Sequence, residues 1–508
     1  MPLAKWWERA RELPGAPRTR GLGLASGQWR PCASDVAASG GRLLAMWASA
    51  CGEGPANSSG GPDSGGAKEV YAAFLTDRGI LVIEHPIADA VAGATPEADY
   101  PGIEDLFPCA SRMQRALSDT SGPRSSDPDR RPWLRHPPQG YGFVRVEGEG
   151  VHEIAVGPVH AGTIEPGHFR FSVVGEKVLR LEERFGYKHK GVERRFADMA
   201  LLEGHRLAAR IAGDSTVAYA WSYCQALEGM AGRRIPPRAA ALRALFLELE
   251  RIANHLGDMG ALGNDAGFAF GLTQFSRLKE DLLRSISQAF AQRYLMDAVV
   301  PGGTRDDIGA AAAGSLAARI AAIGRESAAL RAIYEDHAGV RDRFAGAGIL
   351  TPELARRLGV LGLAGRASGQ ALDVRIDHPD APYDQVAPTP AVRCEGDVAA
   401  RVAVRFDELA ESCRLARALL SSLPAGPHLA PMQPPAQGAF GTGLIEGWRG
   451  PVFVALLAGP DGRIGRCHPH DPSWQNWPAL EHAILGNIVA DFPLINKSFN
   501  LAYSGVDL

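Results

Sequence analysis

The sequence predicts an α+β protein: a small mixed α+β domain at the N-terminus, then a mainly helical bundle with small peripheral β-sheets. Three observations lead there. Short apolar runs bounded by turn residues, "VYAAFL" (70–75) and "GILVIEH" (79–85), read as strands. Between 141 and 193 apolar and polar residues alternate between glycine turns, the period of half-buried strands. From about 196 to about 421 the apolar spacing changes to three and four, that of helices packed on one side. A chain of 508 residues exceeds one ordinary domain. The changes of texture set the boundaries at 1–117 (α+β domain), 118–140 (extended linker) and 141–508 (larger domain).

Taken in order, "MPLAKWWERARELPG" lacks an apolar signal core and reads as a short helix. The loose "GEGPANSSGGPDSGGAKE" (52–69) reads as a surface loop or disordered insertion. The Pro-, Ser- and charge-rich stretch that follows at 118–140 reads as a linker laid along a partner surface. Leu242, Leu245, Phe246, Leu249, Ile252, Leu256 and Met259 form one apolar helical stripe, and similar stripes occur near 315–337 and 401–421. Pro-rich segments at 377–392 and 423–437 separate helices, and "GPVFVALLAGPDGRIGRC" (450–467) reads as a hairpin.

Composition narrows the function. With 45% hydrophobic and 22% charged residues the chain reads as soluble and globular. Its 54 basic residues nearly balance 57 acidic ones without a long basic block, which argues against a nucleic-acid partner. No apolar run reaches the roughly 18 residues a membrane span needs, so the expected location is the cytoplasm. The cysteines, Cys32, Cys51, Cys109, Cys224, Cys394, Cys413 and Cys467, form no CxxC pair and read as reduced, buried small hydrophobes.

Four segments hold candidate chemistry. "GPVHAGTIEPGHFRF" (157–171) gathers His160, Glu165 and His168 on a glycine-rich turn, which is either a cavity wall or an ordinary surface hairpin. "RIAGDSTVAYAWSYC" (210–224) supplies Arg210, Asp214, Ser215 and Tyr219; its bland alternative is a core helix capped by Asp214 or Ser215 after a break at Gly213. Arg366 in "GLAGRASG" suits close approach to something planar or anionic, or a salt-bridged helix start. The apolar tail "FPLINKSFNLAYSGVDL" (492–508) is expected to dock in the core. GxGxxG after a strand, GxxxxGK[ST], HExxH and GxSxG are all missing.

These segments, with "GEKVLRLEERFGYKHKGVERRF", "YCQALEGMAGRRIPPRA", "ELERIANHLGDMGALGNDAGF", "PGGTRDDI", "GRASGQALDVRIDHP" and "RCHPHDPSWQNWPALEHAILGNIVADFPLINKSFN", resemble the large subunit of energy-converting [NiFe] hydrogenases of the formate-hydrogenlyase and hydrogenase-4 kind. They also resemble its relative, the 49 kDa subunit of respiratory complex I. The likeness runs over 141–508. "YPGIEDLFPCA" and "DPDRRPWLRH" are similar to the end of complex I's 30 kDa subunit, in a degenerate copy with Pro108 for the usual glycine.

The resemblance implies a hydrogenase-large-subunit-like bundle and a site held by four thiolates, from RxCGxC and a C-terminal CxxC. Here those positions are Ala212, Ser215, Ala502 and Gly505, and Tyr219 stands where a histidine is common. The sequence stops at Leu508, with no trailing peptide of the kind removed after nickel insertion. A nickel–iron centre is therefore not expected, and this chain is expected to bind no cofactor of its own. The expected site is a cavity lined by His160, Arg210, Asp214, Ser215, Tyr219 and Arg366. Glu165 and His168 would relay protons, and Gly213 replaces the quinone tyrosine. The resemblance further implies an iron–sulfur small subunit carrying the neighbouring cluster, a ferredoxin-like subunit, and membrane antiporter-like and anchor subunits. It implies NADH:quinone oxidoreductase-like chemistry, with quinone and NAD binding, electron transfer and proton translocation, on the cytoplasmic face of the inner membrane. The alternative is a catalytically inactive structural and coupling subunit of the same kind of complex.

Overall fold

The first helix, α1 (Ala4–Arg9), is the short one expected at the N-terminus, and buried Trp6 ties it down through Nε1 to Asp35 at 2.7 Å. β1 (Arg11–Glu12), β2 (Thr19–Gly23), α2 (Trp29–Ala38), β3 (Arg42–Ala48), β4 (Glu69–Thr76), β5 (Gly79–Pro86) and α3 (Ala110–Ser121) follow. The strands form one sheet in the order β1-β2-β5-β4-β3, parallel only between β2 and β5. The computed structural model describes residues 2–49, 69–87, 98–160 and 164–508. Residues 52–68 of the expected surface loop, and Cys51, lie outside the described residues.

β4 and β5 are apolar along their whole length because both faces of the sheet are covered. Ala72, Phe74, Leu81 and Ile83 face α2 and α3, whose Trp29, Val36, Met113 and Leu117 share their core. Ala73, Leu75, Ile80 and Val82 face the other way, onto Leu444, Phe453 and Ala455 of the larger domain. A sheet covered twice reads as a continuous apolar run instead of an alternation. At the β4–β5 turn Gly79 has φ +139°, and an added Cβ would stand 2.0 Å from the Arg18 carbonyl oxygen, so only glycine fits.

After α3 the chain carries no helix or strand until β6, and the surface it follows is its own. Trp133 is buried, with its indole donating to the Val506 carbonyl at 3.3 Å. The amides of Trp133 and Leu134 both donate to Asp119 at 2.8 Å. Arg131 pairs with Asp129 and with Glu182 of the larger domain.

The larger domain opens with an antiparallel meander, β6 (Val151–Val156), β7 (His168–Val174) and β8 (Lys177–Arg184). Helices α4 (Val192–Ala197), α5 (Gly204–Ala208), α6 (Thr216–Met230), α7 (Pro237–Asp265) and α8 (Ala269–Phe290) come next. The small pair β9 (Val299–Val300) and β10 (Gly303–Thr304) precedes α9 (Ala310–Asp336). Short helices α10 (Ala338–Phe344), α11 (Pro352–Leu358), α12 (Gly362–Ala367), α13 (Val374–Asp377) and α14 (Tyr383–Val386) lead to α15 (Val398–Ser421). The long helices α7, α8, α9 and α15 pack side by side. Every residue of the α7 stripe from Leu242 to Met259 is buried, each such side chain contributing about 1.5–3 kcal/mol. The opposite stripe of α7 is not solvated: Arg251, His255 and Asp258 are buried against Arg405 and Glu408 of α15, and Glu248 against Arg375 of α13.

β11 (Phe440–Glu446), β12 (Pro451–Ala458) and β13 (Ile464–His470) form the expected hairpin and its neighbour. α16 (Ser473–Ala483) and α17 (Phe492–Phe499) complete the chain, and residues 501–508 are buried throughout, as expected of the docked tail. Cys32, Cys109, Cys224, Cys413 and Cys467 are buried thiols, whereas Cys394 is exposed, correcting its assignment to the core. The architecture is α+β, with helices and small separate sheets.

Candidate functional site

Six parts of the chain converge on one cavity: the β6–β7 turn, the start of α6, α7, α8, the β11–β12 tip and the C-terminal tail. The space is about 400 Å³, with Glu165, Ala212, Gly213, Asp214, Asp258, Lys279, Arg449, Lys497, Ala502 and Tyr503 on its walls. A smaller chamber of about 140 Å³ adjoins it, sharing Gly213, Asp214, Asn254 and Lys279 and ending on Glu250.

The start of α6 explains this geometry. The first amides of a helix lack internal partners. Here the Glu250 carboxylate on α7 accepts from Val217 N at 2.7 Å and Ala218 N at 3.4 Å. Burial pushes the Glu250 carboxyl up to about 8, against the two amide bonds and Arg251, which pull it down. This corrects the expectation that Asp214 or Ser215 caps the helix: Ser215 makes no side-chain cap bond, and Asp214 is turned away to a cation. The carboxyl group of Glu250 on α7 has taken the capping place.

That cation is Arg449, at the tip between β11 and β12. It holds both carboxylate oxygens of Asp214, the Nη1 contact being 2.8 Å, and reaches Ser215 Oγ at 3.2 Å and the Asn500 carbonyl at 2.5 Å. Its guanidinium lies 4.1 Å from the centre of the Trp448 ring. Burial opposes ionisation of Asp214, but Arg449 outweighs it and holds the carboxyl below its usual range. Nearby, Asp258 is matched by Arg405 at 2.9 Å and Lys497 at 3.5 Å, and accepts from Asn500 Nδ2 at 2.7 Å.

The residues singled out by sequence divide sharply. Glu165 is at the cavity, accepting from Ser504 N at 3.0 Å and paired with Lys188 at 3.4 Å, so the turn and the tail do meet. Ala212 and Asp214 are also on its walls, and Ser215 is buried beneath Arg449. His160 and His168 are not on the walls: their ring nitrogens bond the Gly167 and Gly157 carbonyls, at 2.8 and 3.1 Å, and fold the turn on itself. Burial also pushes the His168 imidazole pKa down. Arg210 faces outward and forks onto Asp297 at 2.7 and 2.8 Å. Tyr219 is fully buried and donates to Asp471 Oδ2 at 2.8 Å. Arg366 is also fully buried, bonded to Glu408 at 2.7 Å and Glu446 at 2.8 Å, away from the cavity wall. Of its two sequence readings, the salt-bridged one describes it.

Sequence reasoning missed Lys279, Asn254, Asp258, Arg449, Lys497 and Asp471. The signal for two of them was present: Asn254 and Asp258 lie one turn apart on α7, on the polar side of its apolar stripe. Arg449 and Asp471 carried no local signal, because their partners lie more than 230 positions away, at Asp214 and Tyr219.

The positions assigned to metal ligands hold Ala212, Ser215, Ala502 and Gly505. None supplies a thiolate, and a guanidinium sits against Ser215. At Gly505 an added Cβ would stand 2.7 Å from Asp471 Cγ, a carboxylate pinned by Tyr219 and the Ser473 amide. These residues do not fit a thiolate-bound nickel–iron centre. What the arrangement can do is hold a polar molecule between cations and move protons along carboxyl groups.

Comparison with known proteins places this geometry in a family. The family model for the respiratory-chain NADH dehydrogenase 49 kDa subunit matches residues 265–437. Formate hydrogenlyase subunit 5 of Escherichia coli (strain K12) is 30% identical over 386 residues, covering 75% of this chain and 68% of that protein. Hydrogenase-4 component G of the same organism is 29% identical over 368 residues, covering 72% of this chain and 63% of its own length. Among solved structures, a chain of the membrane-bound sulfane sulfur reductase, an archaeal respiratory membrane complex, superposes with a TM-score of 0.66. It is 23% identical and covers 71% of this chain and 99% of its own, which shows a shared fold. Among the described residues no helix is long and apolar enough to cross a membrane. The chain belongs to the family of large subunits shared by energy-converting hydrogenases of the formate-hydrogenlyase and hydrogenase-4 kind and the 49 kDa subunit of respiratory complex I.

Proposed function

We propose that this chain is the large subunit of a membrane-associated redox complex in which a cavity without nickel receives a quinone or similar two-electron acceptor. Electrons come from an iron–sulfur cluster in a neighbouring small subunit, and the chain itself holds no cofactor. The acceptor takes two electrons and two protons to become the hydroquinone, with Glu165 passing protons at the rim. Antiporter-like and anchor subunits couple this to proton movement, with the chain docked on the cytoplasmic face of the inner membrane. The observation that carries the reading is the space itself. The positions that the resemblance assigns to thiolate ligands carry no cysteine, yet about 400 Å³ stays open beside Ala212 and Ala502, and nothing lies within 4 Å of where a Cβ on Gly213 would stand.

One observation favours a second reading, an inactive structural and coupling subunit. His160 and Tyr219, expected to line the cavity, and His168, expected to relay protons, direct polar atoms to partners within the chain. Filling the cavity separates the two. Gly213→Leu adds bulk into open space without a backbone clash, so the fold is retained. In the complex purified through this chain, quinone-analogue reduction is expected to fall by about tenfold or more, since access to the reacting position is lost. Unchanged turnover would instead leave the structural role.

A further inference from the structure

The charges around the cavity are matched in pairs, with one exception. Asp214 has Arg449, Asp258 has Arg405 and Lys497, and Glu165 has Lys188. The acids beside Lys279 on α8 are used elsewhere: Glu280 by Arg284 and Arg293, Asp281 by Arg277 and Arg319. Lys279 itself, among the described residues, has neither an ion pair nor a hydrogen bond, and it lies at the junction of the two chambers.

Its position is built for. A glycine inside a long helix weakens that helix, and Gly257 lies well within α7. The atoms nearest to an added Cβ at Gly257 belong to Lys279, whose Nζ would be 2.8 Å away. The glycine lets the ammonium lie against the α7 backbone and face the cavity. Glu250, at the end of the inner chamber, does not neutralise it: burial pushes that carboxyl up to about 8, so it keeps its proton near neutral pH. The other walls of the inner chamber are mainly apolar, with Leu249, Ala253, Leu283, Ile286 and Leu295, joined by Tyr294 and by Arg293, whose charge is matched by Glu280. Its volume of about 140 Å³ is close to the ~150 Å³ of an apolar cavity that takes one benzene ring.

We propose that Lys279 anchors the acceptor through an anionic or carbonyl oxygen, with a single six-membered ring seated in the inner chamber. This rests on the acceptor-cavity reading above and names its substrate class: a one-ring molecule with an oxygen substituent.

Calorimetric titration of the full chain with benzoate, for the anionic oxygen, and with duroquinone, for the carbonyl, tests it. Lys279→Met is expected to weaken at least one probe by about tenfold, and Lys279→Arg to restore benzoate binding. Gly257→Ala keeps the amine but pushes it off the helix, and is expected to weaken the same probe several-fold. Thermal melts of each variant show that it folds. Loss of benzoate alone identifies an oxyanion, and loss of both a shared oxygen contact. If the probes bind and neither Lys279→Met nor Gly257→Ala changes their affinity, the Lys279 assignment is overturned while the cavity stands. If neither probe binds the unmodified chain, the acceptor cavity falls with it.

Discussion

Arg449 organises the floor of the cavity, whereas His160, His168 and Tyr219, which the sequence reading placed at the site, bond to partners within the chain. Its partner Asp214 keeps 40% of its side chain exposed toward the cavity, so the pair is weaker than a fully buried one. Asp214→Ala removes two charge-assisted contacts and leaves the guanidinium short of acceptors. The expected cost is about 1–3 kcal/mol, read from urea unfolding. The pH dependence follows from the sign of the shift. Arg449 holds the folded carboxyl below its ordinary value of 3.8, so the pair's contribution is present above that value and disappears as pH falls below it. The variant and the parent protein are therefore expected to converge in stability in acid. None of this was legible around Asp214, since "AGDST" reads equally well as a helix cap and the deciding partner is Arg449, 235 positions on.

Among the elements, α7 shows how far pattern reading reaches. Its apolar stripe was legible from Leu242 to Met259, because burial against neighbouring helices imposes the helical period. Its other face looks like a solvated one in sequence, but α15 covers it with Arg405 and Glu408. Charge alone does not distinguish a wet face from an ion-paired seam. Glu250, on the same helix, provides the element-level prediction. Its folded value of about 8 stands above the ordinary 4.5, so the folded state binds the proton more tightly. Folding stability contributed by this group therefore falls as pH rises from about 4.5 to about 8, and is level beyond. Glu250→Gln does not titrate. It is expected to match the parent near pH 5 and to be the more stable protein at pH 8, as thermal melts at the two pH values would show. A variant less stable at both would mean that the two amide bonds to α6 outweigh the buried charge.

At the scale of the molecule, the α+β architecture of helices and small separate sheets was legible. Doubly covered β4 and β5 gave unbroken apolar runs, and the changes of period marked the rest. The role of the stretch at 118–140 was not legible, because its composition describes an exposed linker while single residues fasten it to distant partners. Trp133 is the main fastening, packed 5.7 Å from Phe185 and 5.8 Å from Trp474 between ring centres. Trp133→Ala is expected to cost about 3–5 kcal/mol and to expose the bonds after Arg130 and Arg135 to trypsin, which limited proteolysis would reveal as two fragments. Uncut protein under the same conditions would mean that the ion pairs of Arg131 suffice.

The packing at Gly505 also bears on descent within the family. Asp471 stands where a side chain at 505 would begin, and it is committed to both Tyr219 and the start of α16. A cysteine placed there by one mutation would collide with that carboxylate before gaining any ligand. Building a sulfur ligand at 505 thus requires Asp471 to move or change, at the expense of the partner of the Tyr219 hydroxyl. Stepwise mutation toward a thiolate site therefore meets a barrier at this position that no single substitution at 505 crosses.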